Sequence, residues 1–212
     1  MDKFFSLYGY KLAVAVGTHL MFVLVSVFIA FIIALVLGCA LSRIPKVARY
    51  LIPLISVLQT IPGIVFIGLL FLILGMKPIT VIVALAIYAV FPILKNIYTG
   101  LIEVPSTYKE ASIGCGMTSF QSLLKVEIPL VLPAIMNGLR MSTIYTVSWA
   151  VLASMIGLGG LGDFIYIGVS TNNNTLIIAG AIPAAIMAIV LGGLIDVLKR
   201  VMIPAVLRRD IL

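Results

Sequence analysis

The run GLGGLG, Gly157 to Gly162, has the glycine density of a loop that cradles phosphate on backbone N–H groups. A Walker loop also needs a following G-K-[ST] and a strand in front of it. Neither is present, so ATP chemistry is not expected in this chain. Ser154 offers a hydroxyl nucleophile, but an intramembrane serine protease needs a G-x-S-x-G-like setting and a histidine at depth. His19, the one histidine, lies near the outer end of an apolar run and reads as an interfacial or interhelical hydrogen-bonding residue. Cys39 and Cys115 show no Cys/His spacing for a metal, and both read as free thiols. No catalytic or metal-binding set emerges. What remains is a polar, glycine-punctuated stretch from Glu110 to Pro133, EASIGCGMTSFQSLLKVEIPLVLP.

Two helix starts can be read around that stretch. Thr107 with Glu110 has the T-x-x-E form of a capping box, and Thr118 with Gln121 repeats it as T-x-x-Q. Between them, Gly114 and Gly116 allow a corner that a Cβ would forbid. Pro129 and Pro133 suit the first turn of a following helix, where a missing N–H costs nothing. Ala111, Ile113, Leu123, Leu124 and Val126 supply a short apolar side. Local grammar alone fits both a plain connector and a folded elbow presented to a partner.

The elements that position this stretch are membrane spans. Of 212 residues, 63% are hydrophobic and 10% charged, against about 25% charged in a soluble domain. Apolar runs of about 20 residues cross the hydrocarbon layer as helices. Such runs occupy Leu12–Leu41, roughly Tyr50–Leu74, Ile79–Ile97, Leu130–Ile156 and Leu176–Ile203. The expected fold is an all-α integral membrane protein of about five spans, one domain over residues 1–212, with the polar loop at about 103–129. The first run exceeds the membrane core by several turns, so it is tilted or turns near Gly17. A secretory signal would be half as long and followed by an A-x-A site. VLGC at Val36–Cys39 imitates a lipoprotein box, but cleavage there would discard the first span.

Charge sets the orientation. Arg43, Lys46, Arg49, Lys95, Lys109, Lys125, Lys199, Arg200, Arg208 and Arg209 fall on one side, ten in all, against Lys3, Lys11 and Lys77 on the other. By the positive-inside rule the N-terminus is outside, the C-terminus inside and the polar loop cytoplasmic. The net charge of +7 then needs no nucleic-acid partner.

The polar stretch resembles the cytoplasmic loop of bacterial ABC importer permeases, which runs E-A-A, three residues, G, nine residues, I-x-L-P. Glu110, Ala111 and Ser112 are followed by Gly116 and, nine residues later, by Val126-Glu127-Ile128-Pro129. Ser112 departs from the second alanine, and Val126 and Ile128 replace Ile and Leu. LQTIPGIVFIGLL at Leu58–Leu70, IGLGGLGDFIYIGV at Ile156–Val169 and NNTLIIAGAIPAA at Asn173–Ala185 resemble the osmoprotectant branch. The resemblance implies a type I importer permease for glycine betaine, carnitine, choline or similar quaternary ammonium solutes, possessing ergothioneine among its candidates. It implies a coupling loop carried by Glu110, Ala111, Ser112, Gly116, Val126, Ile128 and Pro129. It also implies two ATPase subunits holding ATP and Mg, a second permease copy (identical or a close paralogue), and a separate or fused solute-binding domain, all in a bacterial cytoplasmic membrane. No cofactor is expected on this chain.

The remaining polar positions divide by depth. Thr60, Pro62, Tyr88, Ser148 and Trp149 are candidates for the translocation path, although a single span tryptophan is as readily a packing residue. Asp163, Asn172, Asn173 and Asn174 form an outer loop that either touches a binding protein or is merely solvated. Arg140 and Asp196 are charges inside spans, which face the bundle or snorkel, and read as structural or gating residues. Two other readings stay open: an importer of the same type for another small solute such as an amino acid, and a self-sufficient carrier. A carrier would show internal repeats and discontinuous spans, and no repeat is evident.

Overall fold

The computed structural model describes residues 2–154 and 157–203, with side chains from residue 6 onward. Arg208 and Arg209 of the charge count, and Ile156 at the end of the expected fourth span, lie outside the described residues, as does the side chain of Lys3. The described residues are helical with short connections and contain no strand. In chain order the helices are α1 (Asp2–Arg43), α2 (Pro45–Leu58), α3 (Gly63–Leu74), α4 (Pro78–Glu103) and α5 (Ser106–Gly114). They are followed by α6 (Ser119–Ser122), a π turn (Leu123–Glu127), α7 (Ile128–Ser154), α8 (Leu161–Ser170) and α9 (Asn174–Met202).

Among the described residues, four helical stretches are long and apolar enough to cross a membrane: Ser6–Arg43, Pro78–Glu103, Ser119–Ser154 and Asn174–Met202. The expected turn near Gly17 is absent. α1 runs 42 residues unbroken, about 63 Å at 1.5 Å per residue, so it extends well beyond a bilayer core of about 30 Å.

The expected second span, Tyr50–Leu74, is not one helix. α2 and α3 meet at 92° across Gln59–Pro62. Pro62 disfavours helical backbone at Ile61 and cannot donate a hydrogen bond itself. Backbone groups freed inside a bilayer must find partners, and α4 supplies them. The Tyr88 hydroxyl donates to Ile61 O at 2.7 Å, and Gln59 Nε2 donates to Tyr88 O at 2.8 Å. The corner is therefore fastened by two reciprocal side-chain bonds.

α4 is the central element, packed between α1 and α7. Ala84, Leu85, Ala89, Ile93, Leu94 and Ile97 are buried on it. Small residues permit the close approach expected where lipid gives no hydrophobic drive between helices. A Cβ on Gly138 of α7 would stand 3.1 Å from the Ile93 Cα and the Pro92 carbonyl of α4. Hydroxyls cross-link the bundle: Ser142 Oγ donates to Ala89 O at 2.7 Å, and Ser26 Oγ to Ile82 O at 3.1 Å. His19 is fully buried and its Nε2 donates to Val147 O at 3.1 Å, as an interhelical hydrogen-bonding residue should. Phe28 on α1 and Ile189 on α9 are exposed, as the lipid-facing side requires.

Candidate functional site

The elbow grows from the C-terminal end of α4. Val104 and Pro105 are extended, with Pro105 at ψ 140° as the N-cap of α5. The helix thus begins at Ser106, and Thr107 and Glu110 both lie inside it. The expected T-x-x-E box does not form: α5 has no side-chain cap. Glu110 is exposed.

α5 ends in a left-handed turn. Gly116 has φ +80°. Its N–H bonds Ile113 O at 2.8 Å while the Met117 N–H reaches back to Ser112 O at 3.1 Å, the paired bonds of a Schellman motif with glycine at C′. Only two residues later the second capping box is fully formed. Gln121 N–H donates to Thr118 Oγ1 at 3.3 Å, and Thr118 N–H to Gln121 Oε1 at 2.9 Å. Ser112, the departure from the loop's second alanine, is buried and hydrogen-bonded to Ser122 Oγ at 2.7 Å, so a serine pair clips α5 to α6.

Pro129 stands in the first turn of α7, as expected, whereas Pro133 lies inside the helix. α6 passes through the π turn into α7 without a break, as one stretch Ser119–Ser154, and Pro129 and Pro133 lie within it. The Ile128 N–H reaches five residues back to Leu123 O. The wider turn takes up the position where Pro129 has no N–H to give. Val126, Ile128 and Pro129 are half-buried at this junction. The expected apolar side is also divided: Leu123 is buried, whereas Ala111, Ile113 and Leu124 are exposed. With Tyr108 exposed as well, Ile113 at 61% and Phe120 at 68% leave the elbow studded with uncovered apolar side chains.

One residue of this region was not singled out from the sequence. Glu127 is 1% exposed, ion-paired to Arg43 at the end of α1, with Lys109 Nζ 3.8 Å from its other oxygen. It occupies the variable position of the I-x-L-P element, and its partner is 84 residues away, so the only sequence signal was a carboxylate inside an apolar run. Arg140 and Asp196, treated separately above, are a pair: Nε to Oδ2 is 2.9 Å, joining α7 to α9.

The path candidates converge in part. Tyr88 and Trp149 are stacked, with ring centroids 4.2 Å apart and planes at 23°, and Phe66 meets Tyr88 edge-on at 5.1 Å. Pro62 is the N-cap of α3 at the adjoining corner, and Thr60 is exposed there with its hydroxyl bonded to Val57 O at 2.7 Å. Ser148 is exposed next to Trp149 and its hydroxyl stands 3.5 Å from Ile144 O. Phe66 and Gln59 complete the group; a glutamine beside I-P-G in an apolar run was the available signal.

At the end of the bundle opposite the elbow, Asp163 is half-buried in a cleft of about 350 Å³ with Lys11, Tyr8, Tyr10 and Thr18 among its walls. Burial pushes its carboxyl above the ordinary carboxylate range. The asparagines have backbone duties: Asn172 has φ +53°, and Asn173 caps α9 by accepting from the N–H groups of Thr175 and Leu176. Asn174 is exposed at the first position of α9. The glycines of GLGGLG serve a hairpin between α7 and α8, with Gly157, Gly159 and Gly160 at positive φ. A Cβ on Gly160 would meet both Ser154 Oγ and His19 Nδ1. Yet Ser154 and His19 are fully buried and the hydroxyl donates to Ala150 O at 2.9 Å. The Ser154 hydroxyl is thus committed inside the bundle.

Comparison with known proteins agrees with this geometry. Residues 26–208 match the family described as binding-protein-dependent transport system inner membrane component. The chain is 41% identical to the glycine betaine/carnitine/choline transport system permease protein OpuCB of Bacillus subtilis, over 96% of this chain and 94% of that protein. It is 42% identical to the carnitine transport permease protein OpuCB of Listeria monocytogenes, over 88% of this chain and 86% of the other. Among solved structures, inward-facing MetNI methionine ABC transporter superposes with a TM-score of 0.82 at 25% identity, covering 91% of this chain and 96% of that one. The chain is a member of the family of inner membrane components of binding-protein-dependent transport systems.

Proposed function

We propose that this permease carries a quaternary ammonium solute of the glycine betaine, carnitine or choline type into the cell, driven by a separate ATPase subunit. The solute class is supported by the names of its relatives, which also include a choline transport system permease of Bacillus subtilis at 39% identity. The observation that carries the coupling is the elbow itself: a capped, glycine-cornered pair of short helices, apolar on its outside, running unbroken into α7. Any rotation of α5 and α6 is delivered directly to a membrane-crossing helix. Exposed Ile113 and Phe120 need cover, and a cleft on an ATPase subunit provides it. The exposed Glu110 and Ala111 then belong to that contact, while Ser112 and Gly116 hold its shape.

In this reading ATP and Mg are held by the ATPase subunits, two permease copies assemble, and a solute-binding domain meets the outer cleft around Asp163. The broken second span is a feature that carriers also use, but the uncovered cytoplasmic elbow has no role in a self-sufficient carrier. In a deletion strain under salt stress, this gene together with its ATPase and binding-protein genes should restore accumulation of labelled glycine betaine. Restoration by the permease gene alone would favour the carrier.

The orientation is tested separately. With the elbow in the cytoplasm, the exposed native Cys115 should resist an impermeant thiol reagent in intact cells. A cysteine replacing exposed Asn174 should react. Labelling of Cys115 without permeabilisation would reverse the topology.

A further inference from the structure

We infer that Glu127 is a positioning residue that ties the coupling elbow to the inner ends of α1 and α4 as well as to α7, so that one movement reaches three membrane helices. Its carboxylate is 1% exposed at the last position of the π turn. Oε1 is ion-paired with Nη2 of Arg43, the last residue of α1. Oε2 has no hydrogen bond, and Lys109 Nζ on α5 lies 3.8 Å from it. The same ammonium donates to Leu101 O, near the end of α4, at 3.4 Å. α1, α5 and the root of α7 therefore meet at one carboxylate, and Lys109 joins the end of α4 to that cluster.

The pairing is asymmetric. The Glu127 side chain is sealed, whereas Arg43 and Lys109 remain 38% and 32% exposed. A buried carboxylate stripped of its cations is strongly disfavoured. Consequently α5 cannot swing relative to α1 without either carrying Glu127 along or leaving it uncompensated. The π turn is the place where such a swing can be absorbed, since a helix with an inserted residue can change register there. Without the tie, motion of the elbow reaches α7 through the backbone but has no grip on α1. The Arg140–Asp196 pair contrasts with this: it is about equally exposed on both sides and joins only α7 to α9.

The inference rests on the elbow docking an ATPase subunit. The test uses the whole transporter, permease with ATPase and binding protein, in sealed vesicles. Labelled glycine betaine uptake and ATP hydrolysis are measured on the same preparation. E127Q keeps the shape and should retain the ATPase subunit and its hydrolysis, while solute moved per ATP falls roughly tenfold, a usual size for coupling between sites. The neutral pair R43Q/E127Q removes the uncompensated charges, which restores folding where that was the only defect. It should remain uncoupled, and it carries the test if E127Q assembles poorly. A wild-type ratio in either neutral variant would overturn the proposal. If the docking reading itself is wrong, Gly116→Val leaves uptake intact. If only the tie is wrong, Gly116→Val is inactive and E127Q is fully coupled.

Discussion

Replacing Gly116 by Val should abolish ATP-driven uptake while the permease still inserts in the membrane. The reason is backbone conformation alone. Gly116 has φ +80°, and a Cβ built there meets nothing within 4 Å, so no clash contributes. A non-glycine residue in that region costs about 1–3 kcal/mol, at the upper end for a β-branched side chain. The long packed helices hold the bundle, and this strain cannot unfold them. It is instead relieved locally, by opening the Schellman turn that sets the angle between α5 and α6. Two controls separate this from a general effect of bulk. Asn tolerates the left-handed region, so Gly116→Asn should retain most uptake. Gly114, two residues earlier, is the last residue of α5 and also meets nothing within 4 Å. Gly114→Ala should be silent, or favour the helix by up to about 1 kcal/mol. Uptake measured with ATPase co-purification decides the matter. Equal loss in all three variants, or full uptake in Gly116→Val, would mean that the corner has no role in coupling.

That corner was legible because its signals are local. The spacing from Glu110 to Pro129, the T-x-x-Q box at Thr118 and the need for glycine at 116 all act within a few residues. Thr107 and Glu110 show the limit of the same logic. They have the spacing of a box, but Pro105 sets the helix start one residue before Thr107, so that no N-cap side chain is left to accept. The α2–α3 corner was signalled by Pro62, yet the apolar run continues through it. What stabilises the break is the Tyr88 hydroxyl donating to Ile61 O and the Gln59 amide donating to Tyr88 O, contacts 27 and 29 residues apart. Glu127 with Arg43, Arg140 with Asp196, and the three aromatic rings were hidden for one physical reason. Each is made by helices that meet only after the bundle packs, and the helical period fixes which side a residue faces, not which helix it faces.

Those rings carry the last prediction: the purified permease alone should bind glycine betaine no more tightly than millimolar. A quaternary ammonium group has no N–H to donate and is held best by several open aromatic faces. Phe66, Tyr88 and Trp149 do gather at the α3 corner, contrary to the scatter of aromatic residues along the sequence, but they are closed on one another. Tyr88 and Trp149 lie 4.2 Å apart, too close to admit a cation between them, and Phe66 turns its edge to Tyr88. Opening the stack forfeits about 0.5–1.5 kcal/mol before any solute contact is made. Gly63 keeps it shut: it is buried, and a Cβ there would lie 1.8 Å from Trp149 Cζ3. Trp149 is the single tryptophan of the chain, so its emission reports on this site alone. Gly63→Ala should displace the ring, shift that emission without added solute and lower uptake in the assembled transporter at least tenfold, about 1.4 kcal/mol of the transport barrier. Titrating glycine betaine into the unaltered permease should leave the emission unchanged through the micromolar range, because selectivity then resides in the solute-binding partner. A saturable micromolar change in Trp149 emission would place a primary solute site among these rings.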